Sequence, residues 1–313
     1  MAEDLFQQLI DYANQCIAYH ARDTAHMKNF LRFLARLQTH NVSVANKVLI
    51  CGYSPNALDV RTEEDWALAG VHVIHPEQMI HNLYRPDKGN YTDRIMYDIT
   101  ATDGVYIPFP KYKEPGLLAE RLLLGPPCPI AFLENHSDGK GKAEYIPDKQ
   151  IVEVTRGFNN ELEVCHLLLR EYAHHFLREK KLSQEANRRK VPVDQLEKAF
   201  RYDRRAYGVN AYSVAYTIAL RFGLKEPELD NIHPASGLKP MDLLDIFDEL
   251  DFAIEKLSDQ VIRGPYLKKL ADAKAKDEKE KAEAEAKKKK EEEKKKNEEV
   301  DLGPAPVPPD LGR

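Results

Sequence analysis

The chain predicts an α+β protein in two domains followed by a charged tail. Three observations carry that prediction. Apolar residues recur at helical spacing through residues 4–50. Residues 72–110 then turn β-rich and are broken by turn residues. A second series of strand and helix patterns begins near residue 115 and stops at Gly264-Pro265.

In the first stretch Phe30, Phe33, Leu34 and Leu37 fall at i, i+3, i+4 and i+7, which makes one apolar helix face. Strand-like runs follow at 79–84 and 94–100, interrupted by Pro86-Asp87-Lys88-Gly89 and Thr102-Asp103-Gly104. Residues 108–115, bounded by prolines, read as a linker. The second unit starts with a short helix at 117–124 and a strand at 130–133. Residues 142–145 and 150–154 flank Pro147-Asp148-Lys149 and predict a hairpin. Asn159 or Asn160 caps a long helix running to about residue 180. Another helix is expected over 203–222, stopped by Gly223. The last, over 240–263, carries Leu243, Leu244, Phe247, Leu250, Ile254 and Leu257 on one face.

The expected domains are therefore 1–112 and 113–264, with a tail over 265–313. Residues 267–299 are nearly all Lys, Glu, Ala and Asp, with favourable four-residue pairs such as Glu283–Lys287 and Glu285–Lys289. No apolar stripe follows Leu270, so the prediction is a frayed, solvated helix that ends in a Pro-rich coil. The alternative reading of this segment is a polyelectrolyte tether for a protein partner.

Net charge is −5, so any nucleic-acid role must rest on a local patch. Cys16, Cys51, Cys128 and Cys165 are scattered, without a Cys-x-x-Cys pair, and predict reduced, buried thiols. The N-terminus is acidic and lacks the apolar region of a signal peptide, and no run is long enough to span a bilayer. The expected location is cytoplasmic, with no membrane partner.

Residues 170–175 read Arg-Glu-Tyr-Ala-His-His, one residue short of the helical zinc motif His-Glu-x-x-His. In that motif, residues four apart share a helix face, so both imidazoles reach one Zn²⁺ while the Glu serves as base. Here His174 keeps the second ligand position and Glu171 the base, but Arg170 replaces the first ligand. A guanidinium has no lone pair to donate and sets a fixed positive charge where a cation would bind. His175 points about 100° away around the helix, and His166 lies two turns from His174, so neither replaces the missing ligand. No cofactor is expected. The competing readings are an active zinc metallopeptidase with a variant ligand set, and a hydrogen-bonded core histidine with no chemistry at all.

Between His20 and Lys47, Arg22, Lys28, Arg32, Arg36 and Lys47 are opposed only by Asp23. Lys28, Arg32 and Arg36 are four apart and form a stripe that can track phosphates. Tyr53 and Trp66 are candidate stacking surfaces for bases. The alternative is a solvated helix face beside a core Trp.

Residues 207–224 read Tyr-Gly-Val-Asn-Ala-Tyr-Ser-Val-Ala-Tyr-Thr-Ile-Ala-Leu-Arg-Phe-Gly-Leu. This resembles the third-ligand helix of the antirestriction ArdC and LtrC-like family, with its Ala-Glu-Ser-Val-Ala-Tyr pattern ending in Phe-Gly-Leu. The N-terminal half is similar to the family's single-stranded-DNA-binding domain through Ser43-x-x-Asn46, Pro55-Asn56-Ala57, Asp59-Val60-Arg61-Thr62, Trp66 and Gly70. Val42 stands where that pattern has Tyr, and residues 72–77 replace its Gly-Lys-rich turn. The resemblance spans about residues 25–262.

It implies a zincin-like second domain with a small sheet and three or more helices. It also implies that Tyr212 occupies the position of the third metal ligand, so Arg170 and Tyr212 are two losses out of three. His174 and Glu171 become vestigial. The expectation is a non-catalytic, single-stranded-DNA-binding accessory protein of a mobile element, related to antirestriction or conjugation. Lys28, Arg32 and Arg36 would hold phosphates, and Asn46, Arg61 and Trp66 would shape a base-contacting surface. A pure protein-interaction scaffold is the further alternative.

Overall fold

The computed structural model of the chain describes residues 2–39, 42–84, 92–112, 114–134, 141–227, 232–234 and 237–259. The fold is mixed α+β. The turn expected at 86–89, the charged helix at 267–299 and the Pro-rich coil lie outside the described residues.

The N-terminal helical region resolves into three helices, α1 (Ala2–Ala21), α2 (Thr24–Arg36) and α3 (Val44–Tyr53). Each break has a local cause. Asp23 caps α2 by accepting the His26 N–H at 3.0 Å, and Ser43 caps α3 by accepting from Asn46 at 3.4 Å. Between them runs the short strand β1 (Gln38–Thr39). Then follow β2 (Asp59–Arg61), α4 (Glu63–Leu68), β3 (Ile80–Tyr84) and β4 (Thr92–Asp98). These strands form one sheet in the order β1-β2-β4-β3. Strand β1 runs parallel to β2, and the other pairings are antiparallel.

The second half contains α5 (Pro115–Leu124), β5 (Ile130–Phe132), β6 (Ala143–Ile146) and β7 (Ile151–Val154). The expected hairpin is β6–β7, and β5 adds parallel to β7, giving the order β5-β7-β6. Asn160 caps the long α6 (Glu161–Arg189), accepting from Glu163 at 2.9 Å. Helix α6 outruns the expected end near 180 because Leu182 and Ala186 bury against Leu196 of the short α7 (Val193–Glu197).

Helix α8 (Gly208–Arg221) starts later than the expected residue 203. The Asp203 carboxylate accepts the N–H groups of Arg205 and Ala206 at 3.0 and 3.3 Å, which holds a turn ahead of the helix. Its end is a Schellman cap. Gly223 takes φ +81°, Gly223 N–H donates to Leu220, and Leu224 N–H donates to Ala219 at 2.9 Å. The last described helix is α9 (Pro240–Lys256). Among the described residues no helix is long and apolar enough to cross a membrane.

The expected boundary near 112 does not separate two cores. Residues Met1–Arg263 form one compact unit. One apolar cluster runs through both halves, including Phe30 and Phe33 of α2, Phe176 of α6 and Phe247 of α9. Phe30 stacks on Phe247 at 5.0 Å between ring centres. The apolar face of α2 is thus completed by helices of the second half.

Buried charge ties the same halves together. Lys47 pairs with Asp251 at 2.7 Å. Arg221, 1% exposed, donates to the Leu34 carbonyl and the Ser258 hydroxyl, each at 2.8 Å. The linker is pinned as well, since Tyr112 N–H donates to Phe222 and Lys111 Nζ donates to the Leu220 and Arg221 carbonyls.

Candidate functional site

Helix α6 places Arg170, Glu171 and His174 against α8, strand β6 and the segment before α8. Glu171 is fully buried. Its Oε1 accepts from Arg170 Nε at 2.6 Å and from Arg204 Nη2 at 2.9 Å. Its Oε2 accepts from Arg204 Nη2 at 2.8 Å, from Arg204 Nε at 3.2 Å and from the Tyr145 N–H at 2.8 Å. Tyr145 lies on β6, the edge strand of its sheet, and the carboxylate thereby satisfies a backbone donor. Adjacent residues on a helix need not face one another, yet here Arg170 folds back onto Glu171.

The other end of Arg170 meets Tyr212. Arg170 Nη1 donates to the Tyr212 hydroxyl at 2.7 Å, and its guanidinium carbon sits 5.1 Å from the ring centre. Burial works against the Arg170 charge, but Glu171 and Tyr212 outweigh it and raise its pKa. Arg170 and Tyr212 are therefore in direct contact.

His174 is buried, and its Nδ1 shares a 3.0 Å hydrogen bond with the Tyr202 hydroxyl. Burial lowers its pKa to about 4, against a smaller opposing pull from Glu171, so the ring is neutral near pH 7. His175 faces elsewhere, edge-on to Tyr145 at 5.8 Å. His166 lies beside neither; it lines a cleft of about 390 Å³ together with Arg170, Tyr212 and Tyr216.

This arrangement does not fit a divalent metal. Two guanidiniums already compensate the one carboxylate, and both stand where a further cation would be repelled. Among the described residues, no group of three or more His, Cys, Asp or Glu is placed to hold an ion. Both Glu171 oxygens are engaged by charge-assisted donors.

On α2, the basic stripe lies on the edge opposite the buried Phe30, Phe33 and Leu34. Arg32 Nη2 donates to both oxygens of Glu226, at 2.8 and 3.1 Å, and Lys28 lies 4.0 Å from the same carboxylate. Burial pushes the Glu226 carboxyl up, but the Tyr216 hydroxyl and Arg32 outweigh it and hold it below the ordinary range. Arg36 donates to the Pro55 carbonyl. Two cations, Lys28 and Arg32, thus share one carboxylate, while Arg36 is held by a backbone carbonyl.

Two of the expected base-contacting residues are buried and hydrogen-bonded within the fold. Trp66 is 2% exposed and donates its indole N–H to the Tyr97 carbonyl at 3.0 Å. Asn46 is 8% exposed; it donates to the Leu83 carbonyl at 2.7 Å and accepts the Leu83 N–H at 2.9 Å. Its amide imitates a neighbouring strand and docks α3 on β3. Arg61 pairs with Asp59 at 2.7 Å and lies 4.5 Å over the Trp66 ring. Tyr53, by contrast, is about half exposed, beside Tyr12 at 4.8 Å.

Arg204, Tyr202, Tyr145 and Glu226 complete these sites and carry no motif. A buried glutamate demands a cationic partner, but the chain holds many arginines, and only the tertiary fold selects Arg204.

No family model matches the chain, and no curated protein matches it. Among solved structures, the chain is similar to the antirestriction ArdC protein from the R388 plasmid. The metal-free crystal structure aligns at 12% identity and a TM-score of 0.37, over 73% of this chain and 89% of that one. The Mn(II)-bound structure aligns at 12% identity and a TM-score of 0.42, over 80% and 98%.

Proposed function

We propose that this protein is a non-catalytic single-stranded-DNA-binding accessory protein of a mobile genetic element, acting in antirestriction or conjugation. The binding role rests on the edge of α2, where Lys28 and Arg32 share the carboxylate of Glu226 and Arg36 meets only the Pro55 carbonyl. A surplus of cations on one helix edge attracts phosphates and releases their counterions. Overall negative charge does not oppose this, because screening confines the stripe's field to about 8–10 Å. The non-catalytic role rests on Glu171, whose oxygens are held by Arg170 and Arg204. The biological setting comes from the motif likeness in residues 43–70 and 207–224, an argument by analogy.

Fluorescence anisotropy of the full chain with a labelled single strand tests the reading. Binding should weaken with salt along a log–log slope no steeper than about −2, the limit that three phosphates give at about 0.7 each for single strands. Charge reversal of all three residues (Lys28→Glu, Arg32→Glu, Arg36→Glu) should abolish it. No binding at low salt would leave a protein-interaction scaffold as the better account.

A further inference from the structure

A cleft of about 670 Å³ opens on the other side of the basic stripe, between α1, α2 and the end of α3. Resting on the single-stranded-DNA reading above, we propose that it is a slot for one unstacked nucleotide of the bound strand. Its volume falls in the range of small-ligand pockets, about 300–1,000 Å³.

Its chemistry suits a base. Tyr12 and Tyr19 contribute aromatic surface, and Tyr19 is 54% exposed, leaving much of its surface open to a ligand. Gln15, Asn29 and Asn56 are exposed amides, each carrying a donor and an acceptor for base edges. Arg32 and Arg36 belong both to the cleft and to the phosphate-tracking stripe, so base and backbone would be held by one element.

The lining also contains unspent hydrogen-bonding capacity. Arg36 Nε and His20 Nδ1 are buried without partners. His20 is only 6% exposed and is wedged by stacking on Phe30 at 5.0 Å. Buried polar atoms left unpaired are uncommon in folded proteins and often mark the place of an absent ligand or water. An apolar peptide side chain would satisfy neither atom, whereas a nucleobase brings both donors and acceptors.

The test compares two labelled 12-mers, oligothymidylate and an abasic strand of the same length and charge, on the full chain at low salt. The slot predicts about tenfold tighter binding of the base-bearing strand, the scale of one base–aromatic stack. Tyr19→Ala, and separately Asn56→Ala, should each remove most of that difference; both side chains are exposed, so folding is retained. Equal affinity for the two strands would overturn the slot while leaving phosphate binding intact. A difference that survives both substitutions would also overturn it. Failure of both strands to bind would overturn the DNA reading and the slot with it.

Discussion

Arg204 Nη2 bridges both carboxylate oxygens of Glu171, at 2.8 and 2.9 Å, across 33 residues of sequence. Glu171 is fully buried, and its carboxylate is held by Arg170, Arg204 and the Tyr145 N–H. Removing Arg204 takes three of the five donor contacts and leaves Arg170 as the remaining cation on this buried carboxylate. Arg204→Met should therefore destabilise the fold by about 3 kcal/mol. Adding Glu171→Gln to that variant should restore part of the loss. Urea denaturation measures both, and an unchanged midpoint for Arg204→Met would remove Arg204 from this role.

The same pairing predicts the metal behaviour. Wild-type protein equilibrated with zinc and dialysed should retain only sub-stoichiometric metal. The exchange Arg170→His with Tyr212→Glu places an imidazole four residues before His174 and a carboxylate on α8. That variant should bind zinc at least about tenfold more tightly than the wild type, because four-apart histidines share one helix face. Metal analysis and competition with a chromophoric chelator give the readout. Stoichiometric, tightly held zinc in the wild type would restore the peptidase alternative.

Acid sensitivity follows from the buried imidazoles. His20, His174 and His175 are each lowered from 6.5 to about 4, in every case chiefly by burial. Between these values the unfolded chain binds protons that the folded chain does not, so stability falls as pH drops through 6.5 toward 4. With three such groups the slope near pH 5 approaches about 3 kcal/mol per unit. His175→Phe removes one of them and also an unpartnered buried Nδ1. Its melting temperature should exceed the wild type's at pH 5 by more than at pH 7.5. Identical pH profiles would contradict the assignment.

Asn46 separates a fold role from a binding role. Its amide makes two hydrogen bonds to the Leu83 backbone. Asn46→Ala strands both backbone groups and should destabilise by about 2 kcal/mol. Single-strand affinity, measured where the variant remains folded, should be unchanged. A selective loss of affinity without loss of stability would return Asn46 to the DNA surface.

Much of the fold was legible because its signals are local. The Asn160 cap, the β6–β7 turn and the Gly223 stop each depend on a few adjacent residues. What was illegible is tertiary. The apolar face of α2 announces burial but not its partner, so the packing of Phe30 against Phe247 has no signal in the sequence. Arg170 and Tyr212 were visible as paired departures from a motif. That one guanidinium touches both Tyr212 and Glu171 was not, and neither was Arg204 as the second cation. Trp66 reads from sequence either as a stacking surface or as a core ring, because an aromatic after a turn has the same signature whether it faces solvent or the Tyr97 carbonyl.

Glu226 offers a gain-of-function test. Its carboxylate draws Arg32 and Lys28 inward and also accepts from the Tyr216 hydroxyl at 2.7 Å. A phosphate arriving at α2 must compete with that fixed anion, so part of the stripe's charge is already spent. Glu226→Gln keeps an acceptor for Tyr216 and removes the competing charge. Single-strand affinity at low salt should rise about three- to tenfold, and the salt slope should steepen by roughly 0.7 for each cation released. A purely structural stripe predicts the reverse: lower stability from the lost ion pairs and no change in anisotropy. The two readings thus separate on the sign of the affinity change.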